Sequence, residues 1–345
     1  MLLENFRPRS ALVTKTTLIH KPKFPVIDAH NHLAQFGLNA INLLAISEIC
    51  DLLDEAGVTR YVDLDGGWGE SILQDHLEKL KPVGRFQVYG GVDWGKWQEL
   101  GGRFPEYAAS RLEVQRSWGA DGCKIWKHLG LHVSDEKGLR VKVDDLRLDP
   151  IWETAGRLGM PVMVHVADPV AFFDPIDETN ERWEEIGANP DWAFTSPPFP
   201  PFISILEGLA NVVASHPQTT FIGAHVGCYA ENLEWVGAML DRYPNYYIDI
   251  SARIGELGRQ PYSARKFFIK YADRILFGLD GGPNPEAYRL VYRFLETDDE
   301  YFNYNAGEIP MQGRWFVHGL FLPDEVLEKV YKKNAEKIIA TANKS

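Results

Sequence analysis

"FPVIDAHNHLAQFG", residues Phe24 to Gly37, decides the reading of the fold. Val26 and Ile27 read as a buried strand that runs into Asp28, His30 and His32. Side chains two apart on a strand share a face, so both imidazoles are expected to point the same way from the strand's end. That is metal-ligand spacing, provided that other strands end on further ligands.

Seven more β-rich runs follow: RYVDLD (60–65), FQVYGGVD (86–93), DGCKIWK (121–127), MPVMVHVAD (160–168), TTFIGAHVG (219–227), NYYIDISA (245–252) and DRILFGLDG (273–281). Between them lie segments of helical period, among them 39–57, 105–119, 149–159 and 230–244. Eight strands alternating with helices predict an α/β protein with a (β/α)8 TIM barrel. An open doubly wound sheet would be favoured by a Gly-rich phosphate loop after the first strand, and the sequence has none. The expected organisation is one barrel domain over 1–345. It carries an N-terminal extension (1–24), a long active-site insertion (168–202) and a C-terminal helical segment (323–342). A second irregular stretch runs over 296–322.

The bulk properties fit. With 345 residues, 45% hydrophobic and 24% charged, the chain has an ordinary globular composition. A net charge of -12 argues against a nucleic-acid or anionic-membrane surface. No apolar run spans a membrane, and the N-terminus lacks the apolar core of a signal peptide, so a cytoplasmic enzyme is expected. Cys50, Cys123 and Cys228 are scattered and odd in number, which reads as reduced core thiols.

Barrels of this kind work at the C-terminal ends of their strands. There the sequence places His30 and His32 (first strand), Lys124 (fourth), His165 (fifth), His225 (sixth) and Asp280 (eighth). A lone histidine in an apolar run is ordinarily a core residue. Five metal-binding side chains on one rim form a metal site. His20, His76, His128, His132, His216 and His318 fall in helices or loops and read as solvated or packing residues, with His128 and His132 near enough to approach the mouth.

The ordered motifs resemble the amidohydrolase superfamily over essentially the whole chain. They are VIDA followed by His30-Asn31-His32, then VMVHVAD, FIGAHVG and LFGLDGG. The wording KIW at the fourth strand and ILFGLD at the eighth is similar to the branch that includes aminocarboxymuconate-semialdehyde decarboxylase and related aromatic-acid decarboxylases. Leu279-Asp280-Gly281 departs from the family's more usual Thr-Asp and polar loop, which keeps the carboxylate and changes its neighbours.

The resemblance implies that His30, His32, His165 and Asp280 bind one divalent ion, most often Zn2+, with Mn2+ or a second metal as alternatives. His225 would be the general acid/base, and Asp280 would accept a proton from the activated water. The chemistry agrees: three imidazoles and a carboxylate suit zinc and leave a place for water, whose pKa falls toward ~7. Lys124 is either a carboxylated bridge between two metals or a plain lysine that pairs with a rim carboxylate or holds substrate charge. Arg253, in DISAR, is either a bidentate partner of a substrate carboxylate or a structural salt-bridge partner of Asp249 or a neighbour. Trp126, with Trp68, Trp94 and Trp183, falls in or near rim loops. The substrate-binding candidates are therefore Lys124, Trp126 and Arg253.

The expected function is metal-dependent hydrolysis of a small carboxylated or aromatic molecule. One alternative is non-oxidative decarboxylation of an unsaturated or aromatic acid with the same metal. The other is a non-catalytic metal-binding barrel. The expected partners are a small-molecule substrate and a second copy in a homodimer, with no nucleic acid and no membrane.

Overall fold

The computed structural model of the chain describes residue 6 and residues 9–34, 39–305 and 312–339. The end of the opening stretch (35–37), the start of the N-terminal extension, part of the 296–322 stretch and the end of the C-terminal segment lie outside the described residues.

All eight expected strands form. They are β1 (Val26–Asn31), β2 (Val58–Asp63), β3 (Phe86–Gly91), β4 (Gly122–Ile125), β5 (Val162–Val164), β6 (Phe221–Gly223), β7 (Tyr246–Asp249) and β8 (Ile275–Leu276). They pair in sequence order, every pair parallel. Ala29 N donates to Phe277 O at 2.9 Å and Asp280 N to His30 O at 2.9 Å, which joins the last strand to the first and closes the barrel. Parallel neighbours require crossover connections, and each strand is followed by a helix. These are α1 (Ile46–Ala56), α2 (Glu70–Leu80), α3 (Phe104–Trp118), α4 (Asp149–Arg157), α5 (Phe202–Ser215), α6 (Leu233–Arg242), α7 (Pro261–Lys270) and α8 (Pro285–Glu296).

Local chemistry sets the helix ends. The Glu48 side chain accepts from Ala45 N at the start of α1, and Gly57, at φ +78°, stops it. Pro285 stands in the first turn of α8, and Asn284 Oδ1 accepts from Glu286 N and Ala287 N.

The strand pleat divides the core in two. Cys123, Ile125, Val162, Phe221 and Ile275 face the helices, whereas Ile27, Val62, Met163, Ile222 and Leu276 fill the barrel interior. Ala335, Ile338 and Ile339 of the C-terminal segment join that interior cluster. Asn334 Nδ2 anchors the segment by donating to Ala272 O (2.7 Å) and Ile275 O (2.8 Å), so it closes the floor where β8 begins. The opposite end, where the strands finish, is left for function. No helix among the described residues is long and apolar enough to cross a membrane.

The β-rich runs 219–227 and 273–281 continue past their strands: β6 stops at Gly223 and β8 at Leu276. After β6 the backbone is left-handed at His225 (φ 57°), Val226 (58°), Gly227 (65°) and Cys228 (62°). After β8 it is left-handed at Asp280 (φ 62°). A β-branched residue in this region is a steric outlier, with a cost of about 1–3 kcal/mol. A Cβ on Gly223 would come within 2.0 Å of the Tyr246 hydroxyl, so the tight turn needs glycine there. Periodicity cannot register a turn that keeps the apolar composition of a strand.

Candidate metal centre

The two turns place His225 and Asp280 over the end of β1. His32 Nε2 lies 3.0 Å and His30 Nε2 3.6 Å from Asp280 Oδ1, and His225 Nε2 lies 3.8 Å from Asp280 Oδ2. The ligand atoms of His30, His225 and Asp280 all fall within 4.8 Å of one another. Lys124 points inward, between the outward Cys123 and Ile125, and brings Nζ to 3.4 Å from His30 Nε2. Its ammonium stands 4.9 Å from the Trp126 ring centroid, and that ring lies 5.3 Å from the His32 ring. His165 sits beside this group: its ring is 4.4 Å from that of His225, and its Nε2 is 3.3 Å from Asp168 Oδ1.

Three of the imidazoles are held from behind. Asp249 Oδ2 meets His30 Nδ1 at 2.9 Å, and Asp65 Oδ1 meets His32 Nδ1 at 2.7 Å. A carboxylate can only accept, so Nδ1 carries a proton in both rings and Nε2 is the atom turned toward the centre. The carbonyl of Ser251 does the same for His225, at 3.0 Å from Nδ1. Asp249 Oδ1 accepts from Ser251 Oγ (2.5 Å), Ser251 N (2.9 Å) and His225 N (3.2 Å), so one carboxylate fixes both His30 and the turn that carries His225.

Asn31 stands between the two β1 histidines and straps them to the loop after β8. Its Oδ1 accepts from Gly281 N (3.0 Å) and Gly282 N (2.5 Å), and its Nδ2 donates to Asp28 Oδ2 (2.8 Å) and to the Tyr288 hydroxyl (2.9 Å). These bonds support the left-handed backbone at Asp280. Sequence reasoning missed Asp65, Asn31, Ser251 and the orienting role of Asp249. The available signal was a carboxylate in VDLD and in YIDIS, at the ends of strands neighbouring the histidine strands.

Burial dominates the electrostatics. It pushes the pKa of His30 down, with Lys124 adding to the shift. It pushes His165 down to about 4, and His225 well below the ordinary histidine value, with His165 and Arg253 adding to the last. Burial also opposes charge on His32, but the Asp280 and Asp65 carboxylates beside it hold that ring at about 9. Asp280 resists its own burial because His30, His32 and His225 surround it, and its carboxyl stays well below the usual range. Lys124 is lowered by burial to about 8.

The residues present fit a divalent cation. His165 Nε2 and Asp280 Oδ1 are buried without a partner in hydrogen-bonding geometry, and the Nε2 atoms of His30 and His225 converge with the Asp280 carboxylate. A desolvated carboxylate among imidazole lone pairs is the donor chemistry of zinc and its neighbours. His225 belongs to the tightest group, where the sequence suggested a separate acid/base, whereas His165 stands one ring further out.

The substrate-binding candidates separate. Among the described residues no carboxylate forms an ion pair with Lys124 or Arg253, so neither the Lys124–rim carboxylate pair nor the Arg253–Asp249 bridge forms. Arg253 is 5% exposed and donates to Ala252 O at 2.8 Å. Its charge is felt by His225 on one side and by Glu185, Glu231 and Glu256 on the other. Of the four rim tryptophans only Trp126 lies at the centre: Trp94 stacks on Trp97 in the outer layer, and Trp68 and Trp183 are exposed. His128 and His132 are exposed, 5.9 Å apart, with His132 against Phe194 and Phe199 of the long insertion. His76, by contrast, is buried and bonded to Asp63 at 2.6 Å. Cys50, Cys123 and Cys228 are all free thiols, the last two buried.

Solved structures with this fold span most of the chain. An uncharacterised TIM-barrel protein of Bordetella bronchiseptica is 16% identical, covers 92% of this chain and 99% of its own, and superposes with a TM-score of 0.56. A 2,6-dihydroxybenzoate decarboxylase bound to 2,6-dihydroxybenzoate gives 14%, 92%, 98% and 0.56 for the same quantities. A zinc-bound amidohydrolase of Burkholderia multivorans gives 13%, 91%, 99% and 0.53. No curated protein matches the sequence. The amidohydrolase family profile matches residues 94–340, which include His165, His225 and Asp280 but begin after the β1 histidines. With the barrel and this donor set in place, that match establishes that the chain belongs to the amidohydrolase family.

Proposed function

We propose that the protein is a metal-dependent hydrolase of a small carboxylated or aromatic molecule. The observation that carries this reading is the tautomer of His225. Its Nδ1 faces the Ser251 carbonyl, so its Nε2 is an unprotonated lone pair aimed at the centre. A neutral imidazole held this way is a base poised to take a proton from water. A divalent ion held by His30, His32, His165 and Asp280 would supply Lewis acidity, lowering the pKa of water and polarising a carbonyl.

The chain's own residues do the rest. His225 Nε2, or the neighbouring Asp280 Oδ2, accepts the water's proton. The Asp249 carboxylate, which the charge on His225 also stabilises, offsets the imidazolium that forms. That imidazolium then gives its proton to the leaving group. Lys124 and Trp126 form one wall, where an ammonium and an aromatic face meet an anionic or aromatic substrate.

Non-oxidative decarboxylation is the second reading, favoured by Arg253. A buried guanidinium without an ion pair, on the side of the site that His225 occupies, is a receptor for a substrate carboxylate. That chemistry needs a proton donor for the carbon left behind, and the neutral His225 does not supply one. A paired screen tests the choice: proton release from lactones, esters and amides against carbon dioxide release from hydroxybenzoates and muconate-like acids. Metal-dependent hydrolysis is expected. Carbon dioxide release without hydrolysis would overturn the first reading.

A further inference from the structure

Arg182 lies in the long insertion and is only 1% exposed, which is rare for an arginine unless it is paired. Its Nη1 donates to Glu185 Oε2 at 2.5 Å, its Nη2 donates to Glu256 Oε1, and its guanidinium packs 5.7 Å from the Phe172 ring centroid and 5.9 Å from that of Trp315. Arg182 thus joins the insertion to the helical turn Ile254–Arg259, which begins right after Arg253.

The charges around Arg253 give this contact a consequence. Three acids feel Arg253: Glu185, Glu231 and Glu256. Arg182 is bonded to two of them, Glu185 and Glu256. The third, Glu231, spends one oxygen on Val170 N at 3.0 Å, a bond to the start of the same insertion. Among the described residues Arg253 forms an ion pair with none of the three, and its Nη1 donates to the backbone of Ala252. A buried cation beside three acids would ordinarily pair with one of them. Here Arg182 already neutralises two of the three, Glu185 and Glu256.

We infer that Arg182 is a positioning residue: by holding Glu185 and Glu256 it keeps the Arg253 guanidinium available to a substrate carboxylate, so that the 168–202 insertion sets the enzyme's preference for anionic substrates. This rests on the reading that Arg253 receives a carboxylate. Without Arg182, Glu256 is left with Arg253, three residues before it, and Arg259, three residues after it, and a Glu256–Arg253 pair competes with substrate.

The test uses benzoate and its neutral counterpart benzamide as probes, with the full-length metal-loaded protein and calorimetric or fluorescence titration. Arg182→Met should weaken benzoate binding on the order of 10-fold or more while leaving benzamide unchanged. Adding Glu256→Gln to Arg182→Met should restore benzoate binding. If Arg182→Met fails to fold, Glu256→Gln alone decides, because removing the competing acid should leave benzoate binding equal or tighter. Benzoate binding unaffected by Arg182→Met, or weakened by Glu256→Gln, would overturn the role of Arg182. No benzoate binding by the parent, or binding unchanged in Arg253→Met, would instead overturn the carboxylate reading of Arg253.

Discussion

Metal affinity should depend on pH through a single histidine. His32 is held at about 9 in the metal-free site by Asp280 and Asp65, so it is protonated on Nε2 across the neutral range. A metal needs that lone pair, so binding must expel the proton. His165 is at about 4, and His30 and His225 are likewise pushed down, so these three rings are already neutral near pH 7. Asp280 is ionised throughout. One proton should therefore leave per ion bound, and affinity should fall about tenfold per pH unit, or ~100-fold (~2.7 kcal/mol) from about pH 8 to about pH 6.

The sign for the metal-free protein is opposite. A pKa raised from 6.5 to about 9 on folding stabilises fully below the unfolded value, and this contribution is lost as pH rises through about 9. The gap in melting temperature between loaded and stripped protein should therefore widen from about pH 6 to about pH 9. Calorimetric titration of Zn2+ into stripped protein, in two buffers of different ionisation enthalpy, counts the protons directly. Affinity independent of pH over that interval, or no proton released, would show that His32 does not carry the proton that the metal displaces. A second proton released would identify Lys124, held at about 8, as responding to the metal.

Further outcomes follow from the same geometry. His225→Asn should slow turnover on the order of 10²–10⁴-fold, and elemental analysis of the same variant shows whether His225 also holds the ion, since its Nε2 lies in the tightest ligand group. Asn31→Leu should loosen the Asp280 turn and lower metal occupancy more than it lowers the melting temperature of the stripped protein, because its bonds to Gly281 and Gly282 hold the backbone that carries the ligand. Occupancy equal to that of the parent would count against this strap. Chelation should abolish activity and remove the stabilisation that a bound ion gives, ~4 kcal/mol at a thousandfold excess over Kd; full activity in a metal-free preparation would exclude metal chemistry. If decarboxylation is the reaction, Arg253→Ala should abolish carbon dioxide release, and unchanged release would remove Arg253 from the site.

The barrel and its rim are legible in the order of the residues. Eight apolar runs spaced by helical segments leave little choice of topology, because parallel strands need crossovers and each apolar face needs cover. A pleat of period two places Lys124 inward once β4 is recognised, and strand ends supply His30, His32, His165, His225 and Asp280. Which of these meet, and in what protonation state, depends on the folded chain. His225 and Asp280 reach the centre through left-handed turns that an extended reading does not contain, since composition does not encode the sign of φ. Asp249 and Asp65 become orienting groups only when the barrel closes, 219 and 33 residues from the histidines that they hold. The availability of Arg253 depends on Arg182 in a separate segment, because electrostatics acts through space and the competing charge arrives only when the insertion folds onto the helical turn after β7.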